Sequence, residues 1–265
     1  MLLGHRGRQE DLSLPKSLQV IVLMKAVPEI ERVRFDQATG RIDRSSAKLE
    51  SNPFDLNALE AAVRIKENYG GRVTVMSMGP PRAEVVLRDA IARGADRAIL
   101  MTDEAFAGAD TLATSRALMG GVRKLGAFDL IVAGEKSVDG DTGQVGPELA
   151  ALLGVQSECY VESIDEVLEH KVVVTCDYGT HQYVKRVPLP CVISVTKNVA
   201  SPRLPKLSDK VRSRKANIEI WRASDISQFV DRSHLGTQGS PTHVVKIRTA
   251  AESAKNCKML AGDPS

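Results

Sequence analysis

The sequence predicts a doubly wound α/β fold, a mostly parallel sheet with helices on both faces, and three features carry the prediction. A strand-then-helix phrase occurs four times between about Val20 and Leu153. Each strand is a short, nearly continuous aliphatic run, as expected where both sheet faces are covered. The connections are long enough for right-handed crossovers. With 265 residues, 43% of them apolar, the chain can bury a sizeable core. Five Phe, four Tyr and one Trp leave that core mainly aliphatic.

In chain order, Val20-Ile21-Val22-Leu23-Met24 reads as a buried strand that ends at Lys25 and is stopped by Val27-Pro28. Val33 to Asp36 and Arg41 to Asp43 flank Thr39-Gly40 and predict a small hairpin. Asn52 is placed to cap a helix with Pro53 at its first position, and Leu56, Leu59 and Val63 follow on one face up to Gly70-Gly71. The phrase then repeats. Val73 to Met78 is a strand broken by Gly79-Pro80-Pro81, and the next helix carries Ala83, Val86 and Ala90 before Gly94. Ala98 to Met101 precedes a helix from about Thr111 with Leu118, Val122 and Leu125 in register, and Leu130 to Ala133 precedes one from about Val145 to Leu153. Ser157 to Val161, Lys171 to Cys176, Tyr183 to Val187 and Cys191 to Val195 are short runs with tight gaps, expected as antiparallel strands extending or flanking the sheet. Ser201 to Lys215 reads as a loop and then a helix or basic segment. We divide the chain into a polar extension (1–16), an α/β domain (17–223) and a C-terminal arm (224–265). The arm has little periodic apolar content and is expected to lie on a partner.

Charge and motifs exclude several classes. The net charge of +3 is too small for a dedicated nucleic-acid binder, and six of the basic residues lie between Ser201 and Lys215 against one aspartate. No run approaches the ~18 apolar residues of a membrane span, and charges interrupt the N-terminus where a signal peptide would be apolar, so a cytoplasmic protein is expected. Cys159, Cys176, Cys191 and Cys257 have no metal-ligand spacing, and none of the five histidines has a nucleophile or ligand beside it.

Open parallel sheets bind ligands at the strand carboxyl ends, where helix N-termini offer free N–H groups to anions. Four such ends are present, at Lys25 to Pro28, Met78 to Pro80, Met101 to Asp103 and Gly134 to Val145. The last is a glycine-rich loop in which Thr142 and Gln144 add donors to a backbone able to line a phosphate. It matches neither the Walker A nor the dinucleotide fingerprint, and on its own it reads as a plain tight connection before it reads as a nucleotide loop.

Taken together, Asn52-Pro53-Phe54-Asp55, Ser77-Met78-Gly79-Pro80, Ala90 to Arg97, Asp139 to Pro147 and Ser201-Pro202-Arg203 resemble the β subunit of electron transfer flavoproteins in order and spacing. Gly239-Ser240-Pro241-Thr242, with Val244-Val245-Lys246, resembles that family's C-terminal arm. The resemblance implies a heterodimer with an α subunit that carries its own FAD. It also implies a second nucleotide on this chain, FAD in the bifurcating branch and AMP in the respiratory one. The stretch Asp141 to Pro147 stands where the respiratory branch has Cys-Asn-Gln-Thr-Gly and looks like the bifurcating pattern, so FAD is expected and AMP is the alternative. Carried over by position, the nucleotide contacts are Leu23, Asn52, Pro53, Phe54, Asp55, Met78, Gly134, Asp139, Gly140, Asp141, Thr142, Gly143, Gln144 and Val145. Val27 and Pro28 correspond to the flavin ring's approach to the α subunit. In the recognition segment Leu207 matches the anchoring leucine, with Arg203, Lys206 and Lys210 beside it. The implied partners are NADH, a ferredoxin or flavodoxin, and an acyl-CoA or other flavin dehydrogenase. Ala200-Ser201 and Lys206-Leu207-Ser208 depart from the family pattern. The alternatives from another class are a stand-alone adenine-nucleotide-binding protein of the universal-stress type, and an ATP pyrophosphatase, whose first-strand loop Lys25-Ala26-Val27-Pro28 does not supply.

Overall fold

In the computed structural model, which describes residues 17–29, 35–36, 41–42, 48–243 and 245, alternate residues of the first strand serve two different cores. Val20 and Val22 pack with Ala58, Leu59 and Ala62 of one helix and with Val86 and Leu87 of the next. Ile21 and Leu23 join Leu118, Val122, Leu149 and Ala150 on the opposite face. This two-residue alternation is the pleat of a strand covered on both sides.

The elements are β1 (Leu18–Leu23), β2 (Ala26–Pro28), β3 (Phe35–Asp36), β4 (Arg41–Ile42), β5 (Leu49–Ser51), α1 (Pro53–Tyr69), β6 (Gly71–Met78), α2 (Glu84–Ala92), β7 (Arg97–Met101), α3 (Thr111–Leu125), β8 (Leu130–Gly134), α4 (Val145–Leu153), β9 (Gln156–Val167), β10 (Lys171–Asp177), β11 (Gln182–Pro188), β12 (Cys191–Val195), α5 (Leu207–Ser213), β13 (Glu219–Trp221) and α6 (Gly236–Gly239). The nine-stranded sheet runs β11-β10-β9-β12-β8-β1-β6-β7-β13. From β1 the chain steps outward to β6 and β7, and β8 then returns to the other side of β1. The strand order therefore reverses between β1 and β8, the place where such sheets bind ligands. The expected hairpin is present as β3 paired with β4, although its turn lies outside the described residues.

Several expectations are corrected. β12 is not antiparallel: it pairs in parallel with β8 on one side and with β9 on the other, and only β10 runs against its neighbours. All five residues of β12 are buried, so the strand belongs inside the sheet with both faces covered. Val27 and Pro28 end no strand; they form β2, which pairs antiparallel with β5. β13, a three-residue parallel edge strand, was not anticipated because it is too short to show a period. The first part of the expected arm packs on the chain's own domain. Ile226, Val230 and Leu235 are buried in the core beneath α3 and α4 with Trp221 and Ala223. Ile226 ends a short helical turn, and Val230 and Leu235 lie in bends beside such turns, an apolar spacing that follows neither a strand nor a helix. The 1–16 extension, and the arm beyond His243 apart from Val245, lie outside the described residues. Among the described residues, no helix is long and apolar enough to cross a membrane, and no cluster of side chains could hold a metal ion.

Candidate functional site

At the switch point the first turn of α1 is wedged between the ends of β1 and β8. Asn52 occupies the cap position with Pro53 following, yet its side chain makes no capping bond. Instead the buried amide reaches the glycine-rich loop, donating Nδ2–H to the Lys136 carbonyl at 2.9 Å and accepting the Val138 N–H at 3.1 Å. The Asp55 carboxylate accepts the Lys25 N–H at 2.7 Å, which ties β1 to the same turn. Burial pushes the Asp55 carboxyl up to about 7, against the opposing pull of hydrogen bonds from Lys25, Asn52 and Gly134.

The loop after β8 is held on both sides. Lys25 Nζ lies 2.7 Å from Asp139 and 3.3 Å from the Ser137 hydroxyl. Burial raises the Asp139 pKa, but the bonds from Lys25 and Ser137 outweigh it and hold this carboxyl below its ordinary value. The backbone is left-handed at Asp141 (φ 54°) and Gly143 (φ 63°), on either side of Thr142. A non-glycine residue in that region stores strain, and turning backbone of this kind can point successive N–H groups toward an anion. The nine-residue helix α4 begins at once, at Val145.

A cleft of about 860 Å³ opens along these strand ends. Of the residues expected at the site, Leu23, Asn52, Asp55 and Met78 line it from the strand side. Gly134, Gly140, Thr142, Gly143, Gln144 and Val145 line it from the loop. The others do not line it. Pro53 is the exposed first residue of α1, Phe54 in the same turn lies against Gly134, Asp139 holds Lys25, and Asp141 pairs with Lys136. Val27 is buried and Pro28 half-buried in the β2–β5 ribbon. Sequence reasoning missed the far wall, which runs from Thr102 through Phe106, Asp110 and Thr111 to Thr114 of α3. The end of β7 at Met101 to Asp103 was the available signal; the cap at Asp110, eight residues into a non-periodic stretch, was not read.

The Ser201–Lys215 segment lies apart from the cleft, against α1 and α2. Arg203, expected as a docking residue, binds Glu60 and Glu67 through its guanidinium, and its carbonyl accepts from Arg93 at 2.6 Å. Arg88 holds the carbonyls of Ser213 and Arg214, both at 2.8 Å. These anchors present Leu204 and Leu207, 88% and 79% exposed, with exposed Lys206 and Lys210 beside them.

The chain matches the model of the electron transfer flavoprotein domain over residues 39–226. It is 40% identical over 232 residues to the electron transfer flavoprotein subunit beta of Clostridium acetobutylicum, covering 88% of each chain. It is 38% identical over 249 residues to protein FixA of Azorhizobium caulinodans, covering 92% of this chain and 88% of FixA. It is 39% identical over 230 residues to CarD, a subunit of the caffeyl-CoA reductase–Etf complex of Acetobacterium woodii, covering 86% of this chain and 87% of CarD.

Proposed function

Because the chain belongs to the electron transfer flavoprotein family as a β subunit, we propose that it pairs with a flavin-carrying α subunit and binds an FAD of its own at the switch-point cleft. The observation that carries the reading is the loop from Gly134 to Val145. Its left-handed turns at Asp141 and Gly143 and its tie to Asn52 form one wall of a cleft that is large for a ligand pocket, about 860 Å³ against ~300–1,000 Å³ in general. In this reading the chain serves flavin-based electron bifurcation. NADH is the donor, and the acceptors are a ferredoxin or flavodoxin and an acyl-CoA or other flavin dehydrogenase, in the cytoplasm. The loop pattern supports this branch over an AMP-binding one, and the relative named as a subunit of a caffeyl-CoA reductase–Etf complex supports a partner that acts on an acyl-CoA.

A flavin bound there supplies the exchange between two-electron and one-electron transfer. The chain's own residues bind and orient. The loop and the start of α4 would hold the phosphates, Asn52 keeps that loop in register with α1, and Lys25 with Asp139 braces its outer side. Met78, Phe106 and Leu118 give the cleft an apolar lining that excludes water. The anchored segment at Leu207 docks the dehydrogenase, with Lys206 and Lys210 favouring an acidic partner.

The test is to co-express the chain with its α partner, denature the purified complex, and count FAD and AMP per heterodimer. Two FAD and no AMP are expected. One FAD with one AMP would place the chain in the respiratory type, as a scaffold and docking surface. No nucleotide beyond that of the α subunit would overturn the cleft assignment.

A further inference from the structure

Residues 236–242 form a strap across the loop between β7 and α3, which is the far wall of the cleft. Thr237 gives both its N–H (2.9 Å) and its hydroxyl (3.1 Å) to the Ala107 carbonyl. The buried Ser240 hydroxyl accepts the Asp110 N–H at 2.8 Å and donates to the Gly236 carbonyl at 2.8 Å. Asp110 divides its carboxylate between two tasks: Oδ1 accepts the Ala113 N–H at 2.9 Å and caps α3, while Oδ2 accepts the N–H (3.1 Å) and hydroxyl (2.8 Å) of Thr242. The strap seats tightly, since a Cβ on Gly236 would run into the carbonyls of Ala105 and Ala107.

The contacts continue toward the opposite wall. The Thr111 hydroxyl, one residue beyond Asp110, lies 3.2 Å from Gln144 Oε1 and 3.1 Å from Glu148 Oε1. Two sets of hydrogen bonds, Thr242 to Asp110 and Thr111 to Gln144, are thus joined through the backbone of Asp110–Thr111 and lead from the strap to the loop proposed to hold the nucleotide. The cap of α3 is already made by Oδ1, so what the Thr242 hydroxyl adds is the orientation of the wall.

We propose that the 236–242 strap is part of the nucleotide site, with Thr242 as a positioning residue that acts through Asp110 to hold the far wall against the Gln144 loop and so slows nucleotide release. The proposal rests on the reading that the cleft binds an adenine nucleotide. Where the strap tightens nucleotide binding, linkage makes that effect reciprocal: a bound nucleotide steadies the strap by the same factor in equilibrium constant.

The experiment uses the heterodimer, stripped of the nucleotide on this chain, loaded with radiolabelled AMP and chased with unlabelled AMP. Thr242→Val keeps the shape and loses the hydroxyl; it should release label about tenfold faster, ~1.4 kcal/mol, while Thr242→Ser releases at the wild-type rate. In the wild type, AMP should slow hydrogen exchange at the amides of Thr237, Ser240 and Thr242, a change that a merely structural strap would not show and that can be read even if the Val variant fails to fold. Release from Thr242→Val at the wild-type rate, or strap amides indifferent to AMP, would overturn the proposal while leaving the nucleotide site standing. A wild-type complex that retains neither labelled AMP nor labelled FAD on this chain would overturn both.

Discussion

A methyl group added at Gly134 would press its Cβ against the Asp55 carboxylate, 2.7 Å from Phe54 Cβ and 2.8 Å from the Phe54 carbonyl carbon. Carbon atoms settle at ~3.5–4.0 Å, so about 1 Å must come from the first turn of α1 or the end of β8. Neither yields cheaply. Asp55 is bonded to Lys25, Asn52 of the same turn holds Lys136 and Val138, and Gly134 is in ladder register with Val195. Gly134→Ala should therefore cost about 3 kcal/mol, the upper end for overpacking, and lower Tm by ~6–12 °C for a chain of this size. Gly140→Ala in the same loop is the control. Its Cβ would meet only the flexible ends of Ser137 (3.3 Å) and Lys25 (3.9 Å), so the change should stay within ~0.5 kcal/mol. Thermal unfolding by circular dichroism, with nucleotide content measured on the same heterodimer, reads both. A Gly134→Ala complex with the Tm and nucleotide content of the wild type would refute the close packing of α1 on the loop as the basis of the site.

Asn52→Leu removes the partners of the Lys136 carbonyl and the Val138 N–H; we expect a loss of ~2–4 kcal/mol and a depleted nucleotide site, checked by denaturant titration and nucleotide content. The raised Asp55 carboxyl sets a pH slope. Because its folded pKa of about 7 lies above its ordinary 3.8, its contribution to stability is complete below about pH 4 and is lost as pH rises through 7, with a ceiling of about 4 kcal/mol. Asp55→Asn should flatten that decline in urea midpoints between pH 5 and pH 8 whatever its absolute cost, and an unchanged slope would assign the pH dependence elsewhere. Leu207→Ala, at a position 79% exposed, should leave Tm and flavin content within error and slow reduction of the cognate dehydrogenase several-fold. Equal rates for the two proteins would dissociate Leu207 from docking.

Much of this was legible along the chain because its signals are local. The aliphatic runs at β1, β6, β7 and β8 and the apolar spacings of α1, α2 and α3 each bury one local pattern, and the structure returns them within a few residues. The glycine-rich loop could likewise be read, since turns of the kind made at Asp141 and Gly143 depend on neighbouring residues. Misreadings fell where a side chain serves a distant segment. Asn52 before Pro53 has the local form of a helix cap, but the amide is drawn to a loop 84 residues away. Arg203 looked free for a partner and is taken by Glu60 and Glu67 of α1.

By itself, then, the sequence determined the longer strands and helices and which loop carries the glycines, since periodicity and turn preference act over a few residues. The tertiary structure alone decided the strand order, with β12 inside the parallel sheet because all five of its residues must be covered. It also decided the far wall of the cleft, where Asp110 meets Ser240 and Thr242 across about 130 residues. Such contacts depend on how elements pack after they form, and no short stretch of chain encodes the partner a polar group will find there.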